Sequence, residues 1–213
     1  MTAATDAERA AARAGIFAYW PNRLTAMRFV GSLVLFVVLW VLGEEGDPGP
    51  SPGLWTQLAF WLFILVAATD ALDGHLARRY GQVTAFGRVA DPFVDKVLVL
   101  GTMIFLATFS WSREWFPAWI VVVVLAREFL VTGLRGYIES LGLAFPADWF
   151  GKTKMILQCI AIGVVLGMFA WGIQTPFWSG FAHVLVWGTL VTSVGSGATY
   201  VMRTKRLLAE AGR

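Results

Sequence analysis

The chain has 213 residues, of which 57% are hydrophobic and only 15% are charged. This composition excludes an ordinary soluble globular protein, since such proteins are about 45–50% apolar and about 25% charged. The net charge of +3 comes from short basic clusters between apolar segments, which fits anionic lipid and cytoplasmic loops and argues against nucleic acid as a partner. The length predicts a single membrane domain over 1–213.

The first twenty residues predict a helix that lies along the membrane surface. The stretch from Thr2 to Arg13 is Ala-rich and carries charges of both signs, without the compact apolar core of a cleaved signal peptide. Its apolar end holds interfacial residues such as Phe17 and Trp20. We therefore expect an amphipathic helix over 1–20, followed by a helical bundle over 21–206.

Six apolar segments follow, each near the length of about 20 residues that a helix needs to cross a bilayer. They lie at 24–43, 55–77, 91–111, 115–136, 153–173 and 179–202. The predicted fold class is therefore all-α, a polytopic membrane protein with six transmembrane helices. Cys159 lies inside the fifth apolar run, which favours a buried packing role over a reactive thiol.

The distribution of Lys and Arg predicts the orientation of these segments. With the N-terminus inside, the inner side receives every Lys and Arg except Arg113, whereas the outer loops carry Glu44, Glu45, Asp47 and Glu114. Both termini are therefore expected in the cytoplasm.

Four carboxylates lie at the end of the second apolar run and at the start of the third. They belong to Asp70, Asp73, Asp91 and Asp95. If the second segment stays helical through Arg78, Asp70 and Asp73 share one helix face, and Asp91 and Asp95 share a face of the next helix. Pro92 fits a first helical turn, with Asp91 as the N-cap. A loop near Arg79–Phe86 would then allow the two helices to aim all four carboxylates at one point.

Four neighbouring carboxylates repel one another and take up protons unless cations neutralise them. Hard oxygen ligands in this number suit two divalent cations, Mg²⁺ or Mn²⁺, which can neutralise a pyrophosphate and stabilise displacement at phosphorus. Gly74 and Gly87 would let a ligand approach the backbone, and Arg78 can clamp a phosphate. The alternative is a solvated cytoplasmic loop in which these carboxylates pair with Arg78, Arg79, Arg88 and Lys96.

The pattern Asp70-x2-Asp73-Gly74-x2-Ala77-Arg78-x8-Gly87-x3-Asp91-x3-Asp95 resembles the signature of the CDP-alcohol phosphotransferases. The resemblance implies an integral membrane enzyme with six transmembrane helices, usually a homodimer, that transfers a phosphatidyl group from a CDP-linked lipid to an alcohol. It also implies that the four aspartates hold two metal ions and that Asp95 takes the proton of the acceptor hydroxyl. By the same resemblance Gly74, Arg78, Thr84 and Gly87 belong to the CDP-lipid site, although Thr84 also suits an ordinary turn.

Two further stretches narrow the resemblance to bacterial phosphatidylglycerophosphate synthases. Pro21-Asn22-Arg23-Leu24-Thr25-Ala26-Met27-Arg28 is similar to the entry motif of that group, which implies that Asn22 and Thr25 help to bind CDP-diacylglycerol. The alternative is a plain helix start in which Asn22 or Thr25 serves as the cap.

The second stretch comprises Ala126-Arg127-Glu128, Leu134-Arg135, Gly151-Lys152-Thr153-Lys154 and Gln158, with Met155 in place of the usual threonine. It resembles the acceptor region of the same synthases, where Arg127, Arg135, Lys152 and Lys154 would form a positive pocket for a phosphorylated acceptor. Loop charge on the cytoplasmic side is the alternative, but it explains Arg127 less well because a long apolar run precedes this residue.

The implied substrates are CDP-diacylglycerol and glycerol 3-phosphate, and the products are phosphatidylglycerophosphate and CMP. The implied location is the bacterial inner membrane, with the active site on the cytoplasmic side. Within the family, a phosphatidylinositol phosphate synthase and then a cardiolipin synthase remain as alternatives. From another class, a divalent-cation transporter could also use a carboxylate cluster, although its site is expected near the bilayer midplane.

Overall fold

A computed structural model describes residues 20–43, 51–80, 85–143, 149–210 and 212, and the side chains of these residues except 21, 70–80, 85–89, 91–92, 149–152 and 210. These ranges contain α-helices and turns, without a strand. The six helices are α1 (Trp20–Gly43), α2 (Leu54–Tyr80), α3 (Ala85–Thr108), α4 (Ala118–Ser140), α5 (Trp149–Trp171) and α6 (Pro176–Glu210). The all-α prediction is confirmed for this part of the chain.

The helices pack around one apolar core. Helix α1 lies against α2 and α3, α5 lies against α2 and α6, and α4 contacts α3 and α6. The core is built from large side chains such as Leu39, Phe63, Met103, Phe116 and Ile162, each with at most 2% of its surface exposed. This arrangement brings the C-terminal part of α2 and the N-terminal part of α3, which carry the aspartates, beside the start of α1.

The outer faces of the helices are apolar as well. On α1, Val37 and Trp40 are each 60% exposed, whereas Leu35 and Leu39 are fully buried. A helix that is apolar all round belongs in a large core or in a membrane. Within the described residues, three helices are long and apolar enough to cross a bilayer, namely Asn22–Gly43, Thr153–Trp171 and Pro176–Ala209. The chain is therefore a membrane protein, and six spans remain a prediction.

The expected start of the third helix is wrong. Helix α3 begins at Ala85, so Pro92 lies in the helix interior and Asp91 is not an N-cap. An interior proline removes one backbone hydrogen bond, and after it the helix is held by buried residues such as Val94 and Leu98. The extension of α2 through Arg78 is confirmed, since this helix ends at Tyr80.

Other boundaries also differ from expectation. Helix α3 ends at Thr108 rather than Trp111, because Ser112 Oγ donates a hydrogen bond to the Leu106 carbonyl and the chain turns. Helix α5 begins at Trp149, before Lys152, and α6 continues beyond 202 to Glu210. The interfacial helix predicted over 1–20 lies outside the described residues except for Trp20, which begins α1.

Candidate functional site

A buried polar stripe runs along α1. Asn22, Thr25, Arg28 and Ser32 are each at most 4% exposed, and their spacing places them on one face of the helix. Because α1 begins at Trp20, Asn22 and Thr25 lie inside the helix and the capping alternative is wrong. A buried polar face on an otherwise apolar helix indicates that it meets polar partners in the bundle.

Arg28 and Asp95 join α1 to α3. Arg28 Nη2 donates a hydrogen bond to Asp95 Oδ1 over 2.7 Å, and the two side chains are 3% and 23% exposed. Both residues line a small cavity together with Ala67 and Cys159. A guanidinium at this distance stabilises the ionised carboxylate and fixes its orientation. Asp95 therefore has a buried arginine on another helix as one partner, which the solvated-loop alternative did not include.

The other predicted aspartates lie on the same two helices. Asp70 and Asp73 are one turn apart on α2, and Asp91 is one turn before Asp95 on α3; the side chains of Asp70, Asp73 and Asp91 lie outside the described part. The same holds for the side chains of Arg78 and Lys152 and for Thr84 as a whole, whereas Gly74 lies on α2 and Gly87 on α3. Carboxylates at one-turn spacing on consecutive helices would be hard-oxygen donors of the kind that divalent cations prefer, and this metal site remains a prediction.

Glu128 is the centre of a buried ionic cluster. Its Oε1 accepts hydrogen bonds from Arg127 Nη1, over 2.7 Å, and from Lys154 Nζ, while Lys96 Nζ lies 4.0 Å from Oε2. Arg127, Glu128 and Lys154 are each at most 8% exposed. One carboxylate thus faces three cations, so the cluster retains an excess of positive charge.

Arg135 approaches the cluster from the next turns of α4. Its Nη2 donates a hydrogen bond to the Tyr200 hydroxyl over 2.8 Å, and the guanidinium carbons of Arg127 and Arg135 lie 5.7 and 5.9 Å from the centre of the Tyr200 ring. Tyr200 on α6 therefore contacts both arginines. Gly197, one turn earlier, makes room for Arg127, because an added Cβ there would lie 3.2 Å from Arg127 Cγ.

Lys96, which follows Asp95 on α3, extends toward this cluster. It donates a hydrogen bond to Thr132 Oγ1 and faces Glu128. Close by on α4 and α5, Arg127 Nε and Gln158 Nε2 are buried and, within the described residues, have no hydrogen-bond partner. Buried polar groups are nearly always paired, so these two donors are candidates to bind a polar ligand or ordered water.

The structure therefore brings together several of the predicted residues. Arg127 and Lys154 contact Glu128, Arg127 and Arg135 contact Tyr200, and Asp95 is paired with Arg28. Sequence reasoning quoted Arg28 and Glu128 only as parts of motifs, considered Lys96 only as a partner of the aspartates in the loop alternative, and did not mention Tyr200. A signal existed for Glu128, which follows a long apolar run within α4, whereas nothing in the sequence singles out Tyr200.

Sequence comparisons with known proteins support the family resemblance of the motifs. The family model described as CDP-alcohol phosphatidyltransferase matches residues 18–195. A protein of Bacillus subtilis named CDP-diacylglycerol–glycerol-3-phosphate 3-phosphatidyltransferase is 36% identical over 152 residues, which cover 68% of this chain and 75% of the relative. A protein of the same name from Rickettsia bellii is 31% identical over 187 residues, covering 87% of this chain and 95% of the relative.

The matched region spans α1 to α5 and most of α6, so it includes both the aspartate motif and the ionic cluster. The resemblance first seen in the motifs thus extends over most of the chain. The chain belongs to the CDP-alcohol phosphatidyltransferase family.

Proposed function

We propose that the chain transfers the phosphatidyl group of CDP-diacylglycerol to glycerol 3-phosphate, giving phosphatidylglycerophosphate and CMP. The observation that carries this proposal is the buried cationic cluster around Glu128, whose member Lys96 directly follows Asp95 on α3. This proximity in sequence supports a pocket for a phosphorylated acceptor near the residues that would hold the CDP-lipid. The names of the relatives support the same reaction.

In the proposed reaction the acceptor hydroxyl oxygen forms a bond to the lipid-side phosphorus, and the bond from that phosphorus to CMP breaks. The hydroxyl proton passes to the Asp95 carboxylate, which Arg28 orients at 2.7 Å. A carboxylate is a weak base, so positioning of the acceptor must contribute much of the rate. The family generally uses divalent metal ions, and Asp70, Asp73, Asp91 and Asp95 would hold two Mg²⁺ or Mn²⁺ ions that neutralise the pyrophosphate.

The acceptor is held by charge in this proposal. Glycerol 3-phosphate carries about two negative charges, and Arg127, Lys154 and Lys96 exceed the charge of Glu128 by two. Arg135 and Lys152 add to the positive field, and Arg127 Nε supplies a buried donor. On the donor side, Asn22 and Thr25 would contact CDP-diacylglycerol together with Gly74, Arg78, Thr84 and Gly87.

We further propose that 1–213 forms one domain with six membrane spans, an active site on the cytoplasmic face of the bacterial inner membrane, and a homodimeric assembly. The Lys and Arg distribution supports the orientation, and the family resemblance supports the dimer. Light scattering of the protein in detergent tests the dimer, because a monomer mass would refute it.

The test of function is CMP release by the purified protein from CDP-diacylglycerol with Mg²⁺ or Mn²⁺. Glycerol 3-phosphate, inositol phosphate, serine and phosphatidylglycerol are offered separately, with Asp95→Asn as the inactive control. Release that depends on glycerol 3-phosphate is the expected result. Release with inositol phosphate instead would overturn the acceptor assignment. Metal uptake into vesicles without any CMP release would favour transport and overturn the enzyme assignment.

A further inference from the structure

Gln158 on α5 is a buried polar side chain to which the proposed reaction gives no role. Only 3% of its surface is exposed, and its Nε2 group has no hydrogen-bond partner in the part of the chain that the structure describes. The amide nitrogen can donate two hydrogen bonds, and a buried donor that stays unpaired is costly. Gln158 is therefore a candidate to bind a polar ligand.

The place of Gln158 on α5 relates it to both halves of the candidate site. Lys154 lies one turn earlier on the same helix face and contacts Glu128 in the cationic cluster. Cys159, which directly follows Gln158, lines the small cavity that contains Asp95. Gln158 therefore lies at the border between the face of α5 that meets the cluster and the face that meets Asp95.

A second unpaired donor belongs to the cluster itself. Arg127 Nε is buried and has no hydrogen-bond partner among the described residues, although Nη1 of the same side chain is held by Glu128 and its Cγ lies against Gly197. A charged guanidinium suits a phosphate oxygen, whereas a neutral amide, which holds both a donor and an acceptor, suits a hydroxyl. The two donors thus select different groups of a ligand.

The proposed acceptor carries its polar groups in a matching order. In glycerol 3-phosphate the phosphate is on one terminal carbon, the hydroxyl that attacks is on the other, and a secondary hydroxyl is on the carbon between them. With the phosphate at the cations around Glu128 and the attacking hydroxyl directed to Asp95, the secondary hydroxyl lies between the cluster and that carboxylate. Gln158 is the buried, unpaired donor of α5 at this border.

We propose that Gln158 binds the secondary hydroxyl of glycerol 3-phosphate and selects this acceptor over phosphorylated alcohols that lack the hydroxyl. The inference rests on the proposed function, because it requires the acceptor phosphate at the cationic cluster. A site that hydrogen-bonds a substrate hydroxyl rejects the analogue without it, since the buried protein group is then left unpaired. An apolar side chain at position 158 removes this discrimination.

The first experiment compares glycerol 3-phosphate with 3-hydroxypropyl phosphate, which lacks only the secondary hydroxyl, in the CMP-release assay. The wild type is expected to have a kcat/KM at least about tenfold higher for glycerol 3-phosphate, as the loss of one buried hydrogen bond implies. Gln158→Met, which is similar in size but apolar, is expected to bring the ratio of the two values close to one by lowering kcat/KM for glycerol 3-phosphate.

Gln57→Met is the matched control, because it makes the same chemical change near the start of α2, where Gln57 donates a hydrogen bond to the Ala170 carbonyl. This variant is expected to keep the wild-type ratio. A ratio near one in the wild type would overturn the proposal whether or not any variant folds. An unchanged ratio in Gln158→Met would also overturn it and would assign Gln158 to ordered water or to packing.

The second experiment measures binding without transfer and so separates this inference from the proposed reaction. The melting temperature in detergent with Mg²⁺ is recorded at equal concentrations of the two compounds. Glycerol 3-phosphate is expected to protect the wild type more than 3-hydroxypropyl phosphate does, and Gln158→Met is expected to abolish the difference. Equal protection of the wild type would overturn the hydroxyl site, whereas unequal protection without any CMP release would overturn only the reaction.

Discussion

Asp95 is the one proposed metal ligand whose side-chain surroundings are described, and its pairing with Arg28 defines what a substitution does. Asparagine keeps the shape of the side chain and can still accept a hydrogen bond from Arg28, but it removes the negative charge and the proton acceptor. We expect Asp95→Asn to lower CMP release by at least about 100-fold, the usual contribution of a general base.

The control for this variant is Glu114→Gln, which removes a carboxylate from an exposed turn. Both variants should elute from size-exclusion chromatography like the wild type. Wild-type rates in a folded Asp95→Asn protein would show that Asp95 is not the proton acceptor.

Arg135 provides a separate test of the acceptor pocket. Its guanidinium is held by the Tyr200 hydroxyl at 2.8 Å, and loss of a charge-assisted hydrogen bond to the acceptor phosphate corresponds to about a tenfold change in affinity. We expect Arg135→Ala to raise the KM for glycerol 3-phosphate about tenfold and to leave the KM for CDP-diacylglycerol nearly unchanged.

Tyr200→Phe is the matched comparison for Arg135→Ala, because it keeps the ring beneath both arginines and removes only the hydroxyl. A smaller rise in the same KM is expected, since Arg135 stays charged but is less well oriented. If Arg135→Ala raised both KM values equally, the arginine would not be an acceptor ligand.

At the scale of elements, Glu128 joins three helices. It accepts hydrogen bonds from Arg127 on its own helix and Lys154 on α5, and it faces Lys96 on α3. Glu128→Gln would leave these buried cations without their counter-charge, and breaking a buried ionic contact typically costs about 3–5 kcal/mol. We expect a clear fall in the melting temperature of the protein in detergent.

Glu139→Gln serves as the control for Glu128→Gln, because Glu139 lies on the same helix and is exposed. Equal melting temperatures for the two variants would contradict a structural role for the cluster. Glycerol 3-phosphate should protect the wild type against heat more than it protects Glu128→Gln, since a disordered cluster binds the phosphate less well.

The helices were predictable because long apolar runs between charged loops leave few alternatives. Their ends were less predictable. Pro92 suggested a helix start, but α3 already begins at Ala85. The apolar pattern placed the start of the fifth segment at 153, whereas α5 begins at Trp149, and Lys154 contacts Glu128.

The site was predictable where it depends on the spacing of residues that are close together in the sequence. The aspartates and the Asn22 and Thr25 stripe repeat at helical intervals, so their faces follow from the sequence. The contacts of Glu128 with Lys154 and of Arg135 with Tyr200 join residues 26 and 65 positions apart. Such pairs depend on how each helix is rotated about its axis, which a single sequence does not specify.

For the whole molecule, the charged ends of the helices and their apolar outer faces together support the proposed orientation of the chain in the membrane. Lys205 on α6 is exposed beyond the apolar part of the helix, and Arg113 and Glu114 are exposed in the turn between α3 and α4. A basic excess favours the cytoplasmic side, where glycerol 3-phosphate is available. The orientation and the proposed acceptor therefore depend on each other.

This dependence can be tested by cysteine labelling in a Cys159→Ser background. In intact cells, a membrane-impermeant maleimide is expected to label Glu114→Cys, while Lys205→Cys becomes labelled only after the membrane is permeabilised. The reverse pattern would place the basic cluster outside and would remove a cytosolic phosphorylated acceptor from the proposed reaction. Because both positions are exposed in the folded protein, differences in labelling report the side of the membrane rather than burial.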